Sequence, residues 1–320
     1  MNEMTREHAS PLAGIDTSFA RYIEARSLKD AQHRIDGIPD YAFTMDYEMK
    51  KRLTAIPHYE KISKYITSTA VTREIQAMNR YALAVGPDQF PEIYKMTVDC
   101  ARRLGIGIPN VFVLNNVGIQ AYTIAADDSS PIVVLFSGLV ERFTPGELKF
   151  IIGHECGHIH NNHEVYQTVV RAFFNGFAGG LAGLVTLAGR AMMATWSRAC
   201  EVTADRAGMI CADSVDDCIS AIAKFLYGAT LNNEVHVNLE ALERQLNETI
   251  SNPSRVLELT KEHPSTVRRV FMLKAFAECE TLLDWRPEFK RPDTEVKTKA
   301  ETDQRCRKLV AVTRDMEGGA

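Results

Sequence analysis

The stretch TPGELKFIIGHECGHIHNNH, residues 144–163, places polar side chains that could do chemistry on an otherwise apolar segment. His154 and His158 are four residues apart, so on a helix they lie one turn apart on the same face. Two imidazoles in this arrangement can each place a nitrogen about 2.0–2.1 Å from one zinc ion. The spacing therefore predicts a metal site, against the alternative of a chance match.

Glu155 follows the first of these histidines and is rotated away from the line that joins them. Its side chain is poorly aligned to be a third ligand, but it can hold a water beside the metal. A carboxylate in this position can take a proton from that water and later deliver it to a leaving amine. The pattern is HExxH, and its chemistry is that of a metalloprotease.

The residues around this pattern predict a well-defined helix. Thr144 can accept a hydrogen bond from the amide of Glu147, whose side chain can reach back to the amide of Thr144 in a capping box. Pro145 suits the first helical position, because its missing N–H is no loss there. One apolar stripe then recurs at helical spacing, formed by Leu148, Ile151, Ile152 and Ile159.

Two histidines need a third ligand. The pattern HExxHxxGxxH would supply one, but Asn161 stands where its glycine belongs and Glu164 where its histidine belongs. That class of site is excluded, and we expect His160 and His163 to be solvated.

A better source of the third ligand is SRACEVTADRAG, residues 197–208. Glu201 and Asp205 are four residues apart on a helical segment that is rich in alanine and glycine. Such small residues allow this helix to approach the first one closely enough for Glu201 to reach the metal. Asp205, one turn on, could accept the free ring N–H of a ligating histidine. The alternative is a solvated acidic face.

The combination of GHECGH with EVTAD resembles the M48 metallopeptidases, and the resemblance covers roughly residues 90–275. It extends to FPEIY, RRLGI, SGLVERFTPGEL and EHPSTVRRV. The resemblance implies a zincin-like domain with one zinc ion per chain, with His154, His158 and Glu201 as its ligands and Glu155 as the general base. It also implies that His263 and Arg269 face the substrate and stabilise the oxyanion, which is the chemistry expected of an imidazole N–H or a cation. For His263, the alternative is a loop histidine before Pro264.

The strand beside the cleft departs from the family's usual Asn-Ala-Phe-Ala. This chain has Gln120, Ala121, Tyr122 and Thr123 at those positions, so a side-chain role for the first residue does not carry over. The backbone of an edge strand can still pair with an extended peptide, whatever its side chains. We therefore expect a polypeptide substrate that binds as an added β-strand.

The element pattern predicts an α+β protein that is mainly helical, with a small, mostly antiparallel sheet beside the HExxH helix. The runs NVFVLNN, IQAYTIA and PIVVLFSGLV predict the strands, whereas residues 59–84 and nearly everything after Thr144 read as helical. We expect an N-terminal arm or helical extension (1–58), a zinc metallopeptidase domain (59–285) and a charged, mobile C-terminal tail with room for one more helix (286–320).

Residues 172–189 form an uncharged, glycine-rich stretch of borderline length for a membrane span. His158 and Glu201 must meet at one metal, so the chain between them must leave and return on the same side. Two spans need about 40 apolar residues, more than this stretch holds. We expect a buried or interface-forming helical hairpin, and a homo-oligomer contact or a peripheral membrane contact stays open.

Composition narrows the class of protein further. A net charge of −4 without a long basic run excludes a typical nucleic-acid binder. Seven cysteines without paired spacing suit reduced thiols. The polar start of the chain shows no signal peptide, so we expect a cytoplasmic protein.

The sequence therefore predicts a zinc-dependent endopeptidase that acts on extended or unfolded protein segments. One alternative is a latent protease whose arm or tail covers the cleft. The other is a non-catalytic, metal-stabilised binding or chaperone module of the same fold. Loss of Glu155 would have favoured that module, but Glu155 is present.

Overall fold

A computed structural model describes residues 33–54, 73–126, 129–163, 187–228 and 266–310, apart from residues 36 and 75, together with a few positions between 238 and 248. His263 and nearly all of the stretch 172–189 lie outside the described residues, so the expectations for them stay predictions. Among the described residues, no helix combines the length and the hydrophobicity that a membrane span requires.

Helices form most of the described structure. In chain order they are α1 (Thr44–Thr54), α2 (Pro91–Leu104), α3 (Ser137–Arg142), α4 (Pro145–His160), α5 (Leu187–Cys211), α6 (Val215–Tyr227), α7 (Thr266–Ala277), α8 (Glu280–Trp285) and α9 (Lys299–Val310). Pro287–Phe289 adds one turn of 3-10 helix. The HExxH residues all lie on α4, and Glu201 and Asp205 both lie on α5.

The strands form two small sheets. β1 (Arg34–Ile35) pairs with β2 (Ile38–Pro39), and a four-stranded sheet contains β3 (Ala82–Ala84), β4 (Asn110–Leu114), β5 (Ala121–Ala126) and β6 (Ser129–Phe136). The order in the larger sheet is β3-β4-β6-β5. Only β4 and β6 run parallel, and the other two pairings are antiparallel. Strand β5 therefore forms one edge of this sheet.

Helix α4 lies in the centre of the described fold, in contact with β5, with β6 and with α5. Phe150 and Ile152 are fully buried, as are Val133 and Leu135 of β6, and all four belong to one apolar cluster. Burial on several sides explains why α4 carries few polar residues other than those of the predicted metal site.

The predicted fold class is confirmed: the chain is mainly helical, with a small, mostly antiparallel sheet beside the HExxH helix. Two local predictions are wrong. Residues 82–84, predicted to end a helix, form β3, because pairing with β4 overrides the helix propensity of alanine. The third predicted strand ends at Phe136, and the SGLV that follows it begins α3.

Parts of both predicted extensions pack onto the fold. Phe43, just before α1, and Cys306 of α9 are fully buried in one cluster with residues of α5. Arg206 of α5 lies 2.6 Å from Asp303 of α9 in a buried ion pair. Residues 299–310 of the predicted tail form α9, the one further helix expected there, and the buried face of α9 packs on the fold. The division of the chain into arm, domain and tail stays a prediction.

Candidate metal centre

Helix α4 begins as its sequence predicts. The hydroxyl of Thr144 accepts a hydrogen bond from the amide of Glu147 at 3.3 Å, and a Glu147 carboxylate oxygen accepts one from the amide of Thr144 at 2.7 Å. The same carboxylate forms an ion pair with the ammonium group of Lys224 at 2.7 Å. The start of the helix is therefore fixed both locally and by α6, which in turn fixes the positions of His154 and His158.

Helices α4 and α5 approach each other over small residues. A Cβ built on Gly157 would lie 2.5 Å from the Cβ of Ala207, and one built on Gly153 would lie 2.5 Å from the Cβ of Cys211. Real Cβ atoms do not come so close, so this packing requires glycine at both positions. The close approach brings the acidic pair of α5 to the histidines of α4.

We expect Gly157→Ala to lower the free energy of unfolding by about 1–3 kcal/mol, the usual cost of overpacking a tight contact. Urea denaturation measures the change. The double variant Gly157→Ala/Ala207→Gly is the matched control, because it removes the methyl group that the new one meets, and it should recover part of the loss. A gain in stability, as expected for Gly→Ala on an exposed helix face, would contradict the close packing.

Three side chains converge between the two helices. Nε2 of His158 lies 3.1 Å from Nε2 of His154 and 3.5 Å from Oε1 of Glu201, and Nε2 of His154 lies 3.7 Å from Oε2 of Glu201. All three residues are buried, with at most 6% of their surface exposed. Their ligand atoms form a group that could hold a metal ion.

The donor set fits zinc. Ligands at about 2.0–2.1 Å from zinc in a tetrahedron lie roughly 3.3–3.4 Å from one another, and the three observed separations bracket that value. The Nδ1 of His154 donates to Asp205 at 2.9 Å, and the other ring nitrogen, Nε2, faces His158 and Glu201. Two nitrogens and a carboxylate that point at one spot in a buried site need a cation between them.

Asp205 lies where the sequence predicts it, next to His154. Its two oxygens also accept from Arg269, from Nε at 2.9 Å and from Nη2 at 2.6 Å. Burial alone would raise the pKa of Asp205, but the charge and hydrogen bonds of Arg269 outweigh burial and lower it. The carboxylate is therefore ionised, as a partner of a ligating histidine should be.

Arg269 makes a third contact, since its Nη1 lies 3.3 Å from Oε2 of Glu201. Burial alone would lower the pKa of Arg269, but Asp205 outweighs burial and raises it, so the side chain stays a cation. In this arrangement the guanidinium supports Glu201 and Asp205. Its expected role at the substrate oxyanion stays a prediction.

The expectation that His160 and His163 are solvated is wrong, because the segment around α1 covers the end of α4. His160 is 7% exposed and its Nδ1 lies 2.8 Å from the hydroxyl of Tyr41. His163 is fully buried, with Nδ1 3.0 Å from Nδ1 of His158 and Nε2 2.9 Å from a carboxylate oxygen of Asp46. His163 is thus a neighbour of a candidate ligand.

Asp46 is itself surrounded by donors. It accepts from Nε1 of Trp196 at 3.0 Å, from the hydroxyl of Thr203 at 2.7 Å and from the thiol of Cys200 at 3.4 Å. Burial alone would raise the pKa of Asp46, but His163 and Thr203 outweigh burial and lower it to about 2. Asp46 is therefore an ionised acceptor in the protein interior.

The carboxylate of Glu155 has one described side-chain partner. The hydroxyl of Thr123 donates to its Oε2 at 2.7 Å and lies 3.4 Å from its backbone carbonyl oxygen. Both side chains are buried, with 3% and 6% of their surface exposed. Edge strand β5 therefore holds the carboxylate that the HExxH pattern identifies as the base.

The rest of the predicted substrate strand lies along the same edge. Gln120 is exposed and precedes β5, and its carbonyl accepts from the amide of Phe136. Ala121 and Tyr122 are half-buried, and the hydroxyl of Tyr122 donates to Glu74 at 3.1 Å. Ala121, Tyr122 and Thr123 pair with β6 on one side.

Sequence reasoning missed the contacts of Asp46 and of Thr123. Nothing in the local sequence around Asp46 marks it as a partner of the site, since an acidic residue in the first turn of a helix is common. For Thr123 a signal existed, because a hydroxyl stands where the usual strand pattern has an alanine.

Comparison with known proteins places most of this site in a recognised domain. The sequence profile of peptidase family M48 matches residues 87–277, more than half of the chain. The matched range contains the predicted site residues on α4, α5 and β5. It does not contain Asp46.

Two relatives and one solved structure are similar to the chain. The plastoglobule-localized metallopeptidase 48 of Arabidopsis thaliana chloroplasts is 24% identical over 193 residues, which cover 59% of this chain and 56% of the relative. A protease HtpX homolog of Moorella thermoacetica is 26% identical over 222 residues, which cover 60% of this chain and 74% of the relative. The crystal structure of S. mikatae Ste24p aligns with 18% identity and a TM-score of 0.39, over 71% of this chain and 61% of that one. The chain thus spans little more than half the length of the plant relative.

Proposed function

The chain belongs to peptidase family M48, and from that premise we propose that it is a zinc-dependent endopeptidase. We propose that it hydrolyses peptide bonds in extended or unfolded protein segments. The observation that carries the proposal is the convergence of His154 and His158 of α4 with Glu201 of α5. Their ligand atoms lie within 4.8 Å of one another, and Glu155 lies on α4 between the two histidines.

Each residue of the site has a role in this proposal. His154, His158 and Glu201 would hold one zinc ion per chain. Zinc supplies a Lewis acid, which polarises a carbonyl group and lowers the pKa of water to about 7. Glu155 takes a proton from the attacking water and returns it to the nitrogen of the leaving amine, as a base and then an acid.

The substrate would bind beside β5. Because β5 forms an edge of the described sheet, its outer N–H and C=O groups are suited to pair with an extended chain. The side chain of Thr123 turns towards Glu155, so a peptide paired with this strand would run past the base. Main-chain pairing favours extended segments over particular side chains.

Thr123 gives a sharp prediction about the base. We expect Thr123→Val to lower kcat about tenfold with little change in KM, because it removes a hydrogen bond to a charged group worth about 1.5–3 kcal/mol. Valine keeps the shape of threonine, so the strand should be unaffected. Steady-state cleavage of a peptide, with zinc content measured in parallel, gives both constants.

Thr123→Ser is the matched control, since it keeps the hydroxyl and loses only a methyl group. It should stay within about threefold of wild type, which corresponds to roughly 0.6 kcal/mol. Equal losses in the two variants would show that packing, and not the hydroxyl, matters at this position.

A cytoplasmic location stays a proposal from the sequence. All seven cysteines are free and buried, which suits a compartment that keeps thiols reduced. Three other expectations also stay predictions. They are the absence of a nucleic-acid partner, the oligomer or membrane contact through residues 172–189, and the covering of the cleft by the arm or tail.

The test of the proposed function is cleavage of an unfolded protein by the wild type and by Glu155→Gln, with zinc measured in both. Zinc-dependent cleavage by the wild type supports the proposal. Zinc binding without cleavage of any unfolded or extended substrate would favour the binding or chaperone module.

A further inference from the structure

The two candidate histidine ligands are supported by different segments of the chain. His154 is held by Asp205, which lies on α5 within the range matched by the family. His158 is held by His163, which is held in turn by Asp46 on α1, and α1 precedes the matched range. We call the chain of Asp46, His163 and His158 the Asp46 relay.

The donors around Asp46 fix the direction of the hydrogen bonds in the relay. Trp196 donates to one of its oxygens and Thr203 to the other, so Asp46 acts only as an acceptor. Nε2 of His163 must then carry a hydrogen and donate to Asp46. In a neutral ring this leaves Nδ1 of His163 as an acceptor.

The same argument applies to the candidate ligand His158. Nδ1 of His158, 3.0 Å away, must be the donor to Nδ1 of His163. A neutral His158 with its hydrogen on Nδ1 has its lone pair on Nε2, the nitrogen that faces His154 and Glu201. The relay therefore selects the tautomer that can bind a metal ion, as outer partners of metal-bound histidines commonly do.

Asp46, His163 and Cys200 could also be viewed as a second metal site, since their ligand atoms lie within 4.8 Å of one another. The hydrogen bonds argue against this. Asp46 already accepts from His163, from Trp196 and from Thr203, and both ring nitrogens of His163 are engaged. A cation there would have to displace several buried hydrogen bonds.

We propose that Asp46 and His163 are positioning residues for the metal ligand His158, so that helix α1 is an integral part of the metal centre. This inference rests on the proposed metal site. It gives Asp46, which precedes the family-matched range, a function at the active site, whereas the sequence suggested an arm or helical extension there.

The test compares two substitutions of His163 in the full chain. In His163→Gln, the amide oxygen can accept from His158 and the amide nitrogen can donate to Asp46, which preserves the direction of the relay. His163→Leu fills similar space and breaks both bonds. We expect His163→Leu to weaken the zinc Kd about 10–100-fold and His163→Gln to stay within about fivefold of wild type. Competition with a chromophoric chelator measures the Kd.

Tyr41→Phe is the control for stability alone. It removes the hydroxyl that contacts His160 at the same end of α4 but leaves the relay intact, so its zinc Kd should match that of the wild type. Unfolding of the zinc-free proteins by urea shows how far each variant is destabilised. If His163→Leu does not fold, Asp46→Asn decides, because its amide nitrogen would replace one acceptor and face either the donor Trp196 or the donors Thr203 and His163. We expect about a tenfold weaker Kd there.

The possible outcomes distinguish a failure of the Asp46 relay from a failure of the proposed metal site. A wild type that binds no zinc would overturn the metal site and the relay with it. One zinc per chain, bound equally well by the wild type and by His163→Leu, overturns the relay alone, as would equal losses in His163→Leu and His163→Gln. A second zinc ion per wild-type chain that is lost in Cys200→Ala would identify Asp46, His163 and Cys200 as a second site and also overturn the relay.

Discussion

Glu155→Gln is expected to keep its zinc and its fold and to lose proteolysis about 10²–10⁴-fold, the contribution typical of a general acid–base group. Glutamine is nearly isosteric with glutamate, and its amide oxygen can still accept the hydroxyl of Thr123, which lies 2.7 Å from Oε2 in the wild type. It cannot take a proton from water at neutral pH. The chemical step should therefore suffer, whereas substrate and metal binding should not.

Single-turnover cleavage of an unfolded protein, with zinc content and unfolding measured on the same samples, separates these effects. Glu141→Gln is a matched control, because Glu141 is exposed on α3 away from the site. It should have the activity of the wild type. Activity of Glu155→Gln within tenfold of the wild type would mean that a different group is the base.

The parts of the site that the sequence could predict are those with a local signal. The capping box of Thr144 and the spacing of His154 and His158 are properties of one helix, and helix geometry relates spacing directly to position. The pairing of that helix with Glu201 was also predictable, because alanines and glycines mark a close helix contact, and Gly157 does meet Ala207.

What the sequence could not provide are contacts between distant segments. Asp46 is 117 residues from its partner His163, and Thr123 is 32 residues from Glu155. A single aspartate in a polar helix gives no sign that it will be buried, since most aspartates are exposed. His163 was expected to be solvated for the same reason: its burial depends on α1, whose position only the tertiary structure reveals.

These distant contacts all offset buried negative charge at the candidate metal centre. A site with a glutamate ligand and further carboxylates nearby concentrates negative charge in a buried place, which is costly unless cations and donors offset it. Arg269 offsets Glu201 and Asp205, and Thr203 with Trp196 offsets Asp46. The candidate ligands thus lie among buried hydrogen bonds and ion pairs that the described residues form.

Glu201→Gln is expected to weaken zinc binding about 10²–10⁴-fold and to abolish measurable proteolysis at limiting zinc. If the roughly 10–16 kcal/mol of a tight zinc site is shared among its ligands, one ligand accounts for about 3–5 kcal/mol. An amide oxygen is a much poorer zinc ligand than a carboxylate, and neutralising Glu201 also leaves the Nη1 of Arg269, 3.3 Å away, without its anionic partner. Repulsion between that guanidinium and the incoming cation should weaken binding further.

Glu147→Gln is the matched control for this prediction, because it neutralises another buried glutamate that pairs with a cation. Glu147 lies 2.7 Å from Lys224, at the start of α4 and away from the histidines. Both variants should lose stability as zinc-free proteins, since Lys224 would lose its carboxylate partner and Arg269 would lose one of its two. Only Glu201→Gln should lose zinc in a chelator competition. Full zinc occupancy in Glu201→Gln under those conditions would refute Glu201 as a ligand and point to a different third donor beside His154 and His158.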